Sequence, residues 1–475
     1  MKVIPLALAI SLLAGCSMIP SYQQPEAEAL NTWQSSQQHG LAAADTGWRA
    51  IFADPALVSV IGQSLEASKD LRLSLLNVER YRAQYRIQRA DLLPSITASG
   101  SGTRQRLPQT YNSSGEDSIS SSYSATVGLA SYELDLFGRV RSLKQQALES
   151  YLAQAQNLRT AQLTLVANVA DAYLNWVADR ELLTLAKQTQ AIEADNLALV
   201  KKRFDLGVAS ELELSQAQAA LEDANVALSR YQRLTELDRN ALTLLVGAPL
   251  STGWQPAERL DVASIAGVEP GLPSELLAQR PDILAAEHQL KAANANIGAA
   301  RAAYFPTISL TANLGSMSRE LSDLFAAGSG SWLFMPSISL PIFNAGRLDA
   351  QLDTAEVDHE ITLTQYQQAV QSAFTEVSNA LAERDGYAVQ LAAQERAETA
   401  YARYFEIADQ RYHNGVDSML TRLDAQRNLV AAQQASIGAR LALMQAKVDL
   451  YRALGGGWRD QSPEAANPNP ATTVQ

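Results

Sequence analysis

The chain reads RFDLGVAS at residues 203–210 and, 208 positions later, RYHNGVDS at residues 411–418. Long runs rich in alanine, leucine, glutamine and glutamate flank both stretches. The glycine in each stretch can adopt the left-handed conformation in which helices often end. The pattern therefore predicts two helical hairpins, one in each half of the chain.

The similarity between the two halves extends beyond these turns. Residues 89–96 (RADLLPSI) match residues 301–308 (RAAYFPTI), and residues 136–139 (LFGR) match residues 342–347 (IFNAGR). The matches keep their order along the chain at spacings of 206 to 212 residues. Self-similarity at a nearly fixed period indicates a duplicated structural unit, so the chain consists of two repeats.

The longest segments of each repeat are predicted to be helical. Residues 139–206 contain neither glycine nor proline, and a helix of that length extends about 100 Å. A return helix is expected over residues 211–246, and the second repeat has the same pair over residues 347–411 and 419–454. A shorter helix of about 24 residues precedes each pair. Stacked end to end, the short helix and the return helix would match the long helix in length.

Between the short and the long helix, each repeat contains two stretches in which apolar and small polar residues alternate. The predicted strands span about residues 95–107 and 122–137 in the first repeat and about 307–317 and 333–343 in the second. Alternation gives a strand one apolar and one polar face. It also fits an ordinary soluble hairpin, but about 10 residues is the length that a tilted strand needs to cross a bilayer.

The number of strands sets the predicted assembly. Four strands cannot close around a water-filled lumen, and open strand edges are not tolerated in lipid. Three copies of the chain would supply twelve strands and twelve helical rods. The predicted fold class is an α+β membrane protein: a trimeric twelve-stranded transmembrane β-barrel continued by a long α-helical barrel, with four strands per chain and an internal two-fold repeat.

The N-terminus carries an export signal. Residues 1–16 read MKVIPLALAISLLAGC, in which Lys2 precedes an apolar run too short to span a bilayer. The small residues before Cys16 resemble the lipobox of bacterial lipoproteins, which implies that Cys16 is acylated and becomes the mature N-terminus. The alternative is an ordinary secretion signal that contains a cysteine. By the precedent of such lipoproteins, serine rather than aspartate at position 17 implies the outer membrane.

The predicted domain organisation follows from the repeats and the signal. It comprises a signal peptide (1–15), an N-terminal equatorial segment (16–66), the first repeat (67–247), an equatorial linker (248–280), the second repeat (281–455) and a C-terminal tail (456–475).

Composition excludes several classes of protein. The 475 residues carry 50 acidic and 38 basic side chains, an acidic balance that argues against a nucleic-acid partner. A single cysteine cannot form an intrachain disulfide, and the four histidines lack the spacing of metal ligands. Motifs for nucleophilic catalysis or phosphate binding are missing from the sequence. We therefore expect neither an enzyme nor a cofactor, apart from the covalent lipid on Cys16.

Four motifs together resemble the TolC-type outer-membrane channel family, and within it the OprM-like lipoprotein subgroup. They are YRIQRAD at residues 85–91, ELDLFGR at 133–139, GSGSW at 328–332 and ALGGGW at 453–458. The resemblance implies a homotrimer in the outer-membrane lipid whose helical barrel extends into the periplasm. It further implies docking to a periplasmic adapter protein and to an inner-membrane pump of the resistance-nodulation-division type. The implied function is passive exit of substrates in a tripartite multidrug efflux system.

Matching to the family's closed-tip pattern assigns a periplasmic gate to the second hairpin. Leu420 would form an apolar constriction, and Asp424 and Arg427 a charged pair for which the first hairpin has Gln216 and Ala219. Three copies of the chain would place three Asp424 carboxylates around the axis, and an acidic ring attracts cations. The alternative is a solvent-exposed ion pair worth about 0.2–0.5 kcal/mol. The same matching implies links between neighbouring helices through Asp179, Asp238, Arg411 and Tyr412.

The hairpin turns are the second candidate site. In the family such turns meet the adapter, so the resemblance assigns adapter contacts to Gly207, Val208, Gly415 and Val416. Two other classes of protein also have long helices: structural coiled-coil lipoproteins and periplasmic adapters. Strand pairs inserted at matched positions argue against the first class, and two hairpins instead of one argue against the second.

Overall fold

The computed structural model describes residues 17–25, 41–42, 46–108, 110, 118–269 and 276–456. Cys16, the signal peptide and the C-terminal tail from residue 457 lie outside the described residues. Ahead of the first repeat come β1 (Leu41–Ala42), α1 (Trp48–Ile51) and α2 (Pro55–Ala67). The first repeat then contains α3 (Lys69–Ala90), β2 (Ile96–Leu107), β3 (Ser118–Leu134), α4 (Arg139–Asp205) and α5 (Glu211–Val246).

The second repeat has the same order of elements. After β4 (Val268–Glu269), which pairs in parallel with β1, and the short α6 (Leu276–Gln279), it contains α7 (Pro281–Ala302), β5 (Thr307–Ser318), β6 (Gly330–Ser339), α8 (Arg347–His413) and α9 (Met419–Ala453). Among the described residues, none of these helices combines the length and the apolar character that crossing a membrane requires.

The chain forms two compact units. The described residues of the strand unit fall within Met1–Glu26, Asn77–Ala155 and Ala285–Gln367. Those of the helical unit fall within Ala27–Leu76, Gln156–Leu284 and Gln368–Gln475.

The strand unit contains an antiparallel four-stranded sheet in the order β2-β3-β5-β6, so β2 and β6 are its edges. Small polar residues pair across it, as the predicted polar face requires. Ser99 contacts Thr126 at 2.9 Å between hydroxyl oxygens, and Ser309 contacts Ser337 at 2.7 Å. One irregularity in the pairing of β3 with β5 lies between Leu129 and Tyr132.

Two strands, β3 (Ser118–Leu134) and β6 (Gly330–Ser339), begin and end three or four residues earlier than predicted. β3 begins at Ser118, before the predicted residue 122, because the serines that start it pair with the end of β2. β6 ends at Ser339, before the predicted residue 343. Pro341 follows there, and proline has no N–H to continue a strand ladder.

Both hairpin turns in the helical unit have the same backbone structure. Gly207 and Gly415 have φ of 70° and 72°, the left-handed conformation that the turn sequence predicts. The carbonyl oxygen of Arg203 accepts hydrogen bonds from the N–H groups of Val208 and Ala209, and that of Arg411 accepts the equivalent pair. Ser210 and Ser418 then cap the return helices with their side chains.

The return helix of each repeat ends against the start of the short helix. Gly247, at φ 75°, directly follows α5 and lies against the residues that precede α3. A Cβ at this position would lie 2.7 Å from the carbonyl oxygen of Ala67. In the second repeat Gly455 takes this place beside Arg280, whose Nη1 donates to the carbonyl oxygen of Ala453 at 2.8 Å. These two joints confirm that the helices meet end to end.

The two kinds of glycine predict different costs of substitution. Gly207→Ala meets no atom within 4 Å, so it should cost only the strain of a left-handed alanine, about 1–2 kcal/mol. Gly247→Ala adds a steric conflict with the Ala67 carbonyl. Overpacking of this kind costs about 1–3 kcal/mol of stability in addition. Thermal unfolding of the purified protein in detergent should therefore show the larger drop in midpoint for Gly247→Ala. Equal drops would contradict a tight joint.

Candidate functional site

One exposed stripe of α9 carries the predicted gate residues. Leu420, Asp424 and Arg427 follow one another at the spacing i, i+4, i+7, and all three are exposed. Asp424 accepts a hydrogen bond from the Asn428 amide at 3.2 Å. Among the described residues no ion pair joins Asp424 to Arg427, so neither charge is neutralised by the other.

Beside this stripe lies a recess of about 450 Å³ between α4, α5 and α9. Alanines of α5, including Ala220 and Ala224, form one wall, and Leu420 and Arg427 lie on the other. The lining is largely apolar but includes three charged side chains, those of Glu193, Asp223 and Arg427.

Tyr412 forms a second group, which joins the two repeats. Arg203 of α4 donates from Nη1 to the Tyr412 hydroxyl at 2.9 Å. The guanidinium groups of Arg203 and Arg422 lie 5.8 and 5.9 Å from the centre of the Tyr412 ring, within cation–π range. Arg422 is buried and bonds through Nε to the Asp409 carboxylate at 2.6 Å. Tyr412 is buried as well, so this group ties α4 to α8 and α9.

Arg411 has a different partner. Its guanidinium binds both oxygens of Asp417, at 2.6 and 3.2 Å, within the second turn. This ion pair holds the pKa of the Asp417 carboxyl below its ordinary value and raises that of Arg411. In the first turn the position of Asp417 is taken by Ala209. Arg203, the counterpart of Arg411, therefore has no acid six residues later in its own turn, and it donates to Tyr412 instead.

Sequence reasoning did not single out Arg203. The signal was present in the aligned turns: an arginine kept in both repeats, with an acid six residues later in only one of them. An arginine without its local partner is free to bind across to the other hairpin.

Asp179 and Asp238 form a third group, in which two carboxyl groups face each other between α4 and α5. Burial raises the pKa of Asp238 to about 7, and the negative charge of Asp179 adds to the shift. Burial also raises the pKa of Asp179, against the opposing effects of its hydrogen bond to Asp238 and of the nearby Arg230. The raised pKa values favour protonation of one of the two carboxyl groups near neutral pH, which would relieve the repulsion between them.

The seven residues predicted to form the gate and its links do not meet at one place within a chain; they are Leu420, Asp424, Arg427, Asp179, Asp238, Arg411 and Tyr412. Asp179 lies 24 residues before Arg203 on α4, a distance of about 36 Å along the helix. The Asp179–Asp238 pair is therefore remote from Tyr412 in the same chain.

The hairpin turns present apolar side chains to solvent. Val208 is 67% exposed and Val416 is 62% exposed, and no atom lies within 4 Å of a Cβ built on Gly207 or Gly415. The glycines are thus required by backbone conformation alone, and the turns have accessible surface for a partner.

The segment after Cys16 is fixed to α7 in the strand unit. The Tyr22 hydroxyl donates to Glu287 at 3.1 Å, and the Asn294 amide donates to the carbonyl oxygen of Pro20 at 2.9 Å. A Cβ on Gly298 would lie 2.6 Å from Ile19.

The described part of the chain contains no group of three or more His, Cys, Asp or Glu side chains that could hold a metal ion.

Comparison with known proteins agrees with this architecture. A family model described as outer membrane efflux protein matches residues 60–248 and 272–456, which correspond to the two repeats. The chain belongs to the outer membrane efflux protein family. It is therefore an outer-membrane efflux channel protein and not an enzyme, and the resemblance to the TolC-type channels is confirmed.

Relatives align over nearly the full length. The toluene efflux pump outer membrane protein TtgC of Pseudomonas putida is 50% identical over 470 residues, covering 98% of this chain and 97% of that protein. The outer membrane protein OprJ of Pseudomonas aeruginosa is 41% identical, covering 95% of each. The crystal structure of the open state of the Neisseria gonorrhoeae MtrE outer membrane channel has a TM-score of 0.86 at 40% identity, covering 93% of this chain and 99% of that one.

The contact between Arg203 and Tyr412 predicts a coupling between the hairpins. Arg203→Ala and Tyr412→Phe should each speed amide hydrogen exchange in the turns, and the double variant should add little. We expect a coupling energy of about 1–2 kcal/mol, because the hydrogen bond is made by a charged donor. Tyr404→Phe, at an exposed tyrosine of the same helix, is the control. Additive effects of Arg203→Ala and Tyr412→Phe would contradict the link.

Proposed function

We propose that three copies of the chain form a closed ring of twelve strands continued by a tube of helices, and that this trimer is the exit duct of a tripartite multidrug efflux system. A periplasmic adapter and an inner-membrane resistance-nodulation-division pump would deliver substrates to it. The observation that carries the proposal is the 50% identity to TtgC across 98% of the chain. Relatives from Pseudomonas putida are named as efflux proteins for toluene, antibiotics and solvents. We extend that range of small organic substrates to this protein.

The export function can be tested in cells that lack the gene. Deletion should increase accumulation of ethidium and lower the tolerated concentration of antibiotics, and the intact gene should restore both. Restoration should require the adapter and the pump, because the channel itself has no energy source. Unchanged accumulation after deletion of this and any redundant channel gene would argue against the proposal. Recovery without a pump would do so too.

The domain boundaries and the membrane anchor belong to the same proposal. Residues 1–15 would be removed as the signal peptide, and acylated Cys16 would become the N-terminus. The two repeats would be bounded by equatorial segments as the sequence predicts. Two hydrogen bonds to α7 support the proposed anchor: Tyr22 donates to Glu287, and the carbonyl oxygen of Pro20 accepts from Asn294. They would hold the chain in place a few residues after the lipid.

The turns and the stripe on α9 are assigned separate roles. Gly207, Val208, Gly415 and Val416 would contact the adapter, supported by the exposure of both valines. Leu420, Asp424 and Arg427 would face the axis and close the resting channel. Their common exposed face and the lack of an ion pair between Asp424 and Arg427 support this assignment. The links through Asp179, Asp238, Arg411 and Tyr412 would hold the closed arrangement.

The gate assignment predicts a change in conductance. Asp424→Ala with Arg427→Ala should raise single-channel conductance in a planar bilayer severalfold, because three copies would lose both rings of charge. Cells carrying this variant should also become sensitive to large solutes such as vancomycin. Gln216→Ala is the matched control, since Gln216 holds the position of Asp424 in the other hairpin. Wild-type conductance in a normally formed trimer would place the gate elsewhere.

A further inference from the structure

The sheet of the strand unit has one apolar face and one face of hydroxyl groups. Residues that pair directly across an antiparallel sheet lie on the same face. One row of the apolar face crosses all four strands through Ala98, Val127, Leu314 and Trp332. The contact between the hydroxyl groups of Ser99 and Thr126 lies on the other face. In the membrane-spanning ring proposed above, the apolar face meets lipid.

The two ends of the sheet differ in what they join. α3 leads into β2 at Ile96, and α4 follows β3 after Leu134, so both helices meet the sheet at one end. Leu107 and Ser118 pair at the opposite end. Since the helices extend into the periplasm in the proposed assembly, this opposite end faces the cell exterior.

The outer boundary of the apolar face lies near Tyr123. On this face Ile308 and Ser318 of β5 are ten residues apart, which is about 34 Å along the strand and about 24 Å across a bilayer at a tilt of about 45°. The apolar band of strands that cross the outer membrane is about 25 Å tall. Tyr123 pairs with Ser318, so its ring lies where the hydrocarbon ends, a depth at which tyrosine is enriched.

Two arginines continue the apolar face beyond this boundary. Among the charged residues of the described strands, Glu133 lies on the hydroxyl face, whereas Arg104 and Arg106 lie on the apolar face. Gly102 pairs with Tyr123, so Arg104 is two residues and Arg106 four residues farther out. Those steps correspond to about 5 and 10 Å across the bilayer. The headgroup layer on each side is about 5–8 Å thick, so the first arginine lies within it and the second at its outer surface.

The chemistry of this pair fits an anionic headgroup. Arg104 and Arg106 are both exposed, and their like charges on one face of one strand repel each other unless an anion lies between them. A guanidinium group binds phosphate oxygens through two parallel N–H groups. Lipid phosphates lie just outside the hydrocarbon, so the two arginines match them in both charge and depth.

We propose that Arg104 and Arg106 form a binding site for the phosphate groups of lipids in the outer leaflet of the outer membrane. The Tyr123 ring lies over Gly102 beside them, since a Cβ on Gly102 would be 3.0 Å from Tyr123 Cδ1. The ring thus offers an apolar surface to the acyl chains directly below the bound phosphate. This inference rests on the proposed ring of strands, because that arrangement turns the apolar face towards lipid.

Lipid binding to the detergent-solubilised protein tests the site. Native mass spectrometry should show bound diphosphorylated lipid A, a phosphate-bearing lipid of the bacterial outer leaflet, and less of the same lipid without its phosphates. Arg104→Gln with Arg106→Gln should weaken binding of the phosphorylated lipid by about tenfold or more, because bonds between charged groups are lost. Arg104→Lys with Arg106→Lys should retain part of the affinity. Arg319→Gln is the matched control, since Arg319 is exposed at the same end of the sheet but follows β5.

Three results would overturn the site. They are equal affinity of the wild type and the double glutamine variant for diphosphorylated lipid A, an equal loss in Arg319→Gln, and binding that does not depend on the phosphates. The trimer content of the same samples is measured separately. A wild type that stays monomeric would contradict the proposed assembly, and the lipid comparison decides the site in either case.

Discussion

The unpaired backbone groups at the edges of β2 and β6 are the constraint on which the rest of the protein depends. A hydrocarbon environment offers no water to these N–H and C=O groups, so the sheet must continue into another chain. The chain leaves both edges directly into helices, α3 before β2 and α8 after β6. Any partner that satisfies the strand edges therefore also meets these helices.

Duplication supplies the scaffold, and the tips of the two hairpins have diverged in charge. The turns of both repeats share one backbone structure, yet Ala209 stands opposite Asp417, and Ala219 opposite Arg427. The first difference redirects Arg203 to Tyr412, which ties the hairpins together. The second leaves α9 with a charged stripe that α5 lacks.

The sequence predicted the helices closely because clear breakers bound them. The long helix was expected over residues 139–206 and ends at Asp205, and the return helix runs over Glu211–Val246 as expected. Strand ends were less certain because hydrogen bonding across the sheet decides them: the serines from Ser118 onward are in β3 through pairing with β2 and not through any alternation of their own.

The candidate site was predicted only in part. The exposed stripe of Leu420, Asp424 and Arg427 could be anticipated, because helical spacing alone places those residues on one face. The partner of Tyr412 could not, because it depends on how α4 of one repeat packs beside α8 of the other. The same holds for the raised pKa of Asp238, which requires both burial and the nearby charge of Asp179.

Links of this kind suit a channel whose resting state must be reversible. A hydrogen bond from a charged donor contributes about 1.5–3 kcal/mol at most, and less where solvent reaches it. Three copies of the Arg203–Tyr412 contact would together hold the tips by roughly 3–6 kcal/mol, at about 1–2 kcal/mol each. Converting a 99:1 population into 1:99 takes about 5.5 kcal/mol. A partner that binds the three pairs of turns in the open form would thus need to favour it by only about 2 kcal/mol per copy.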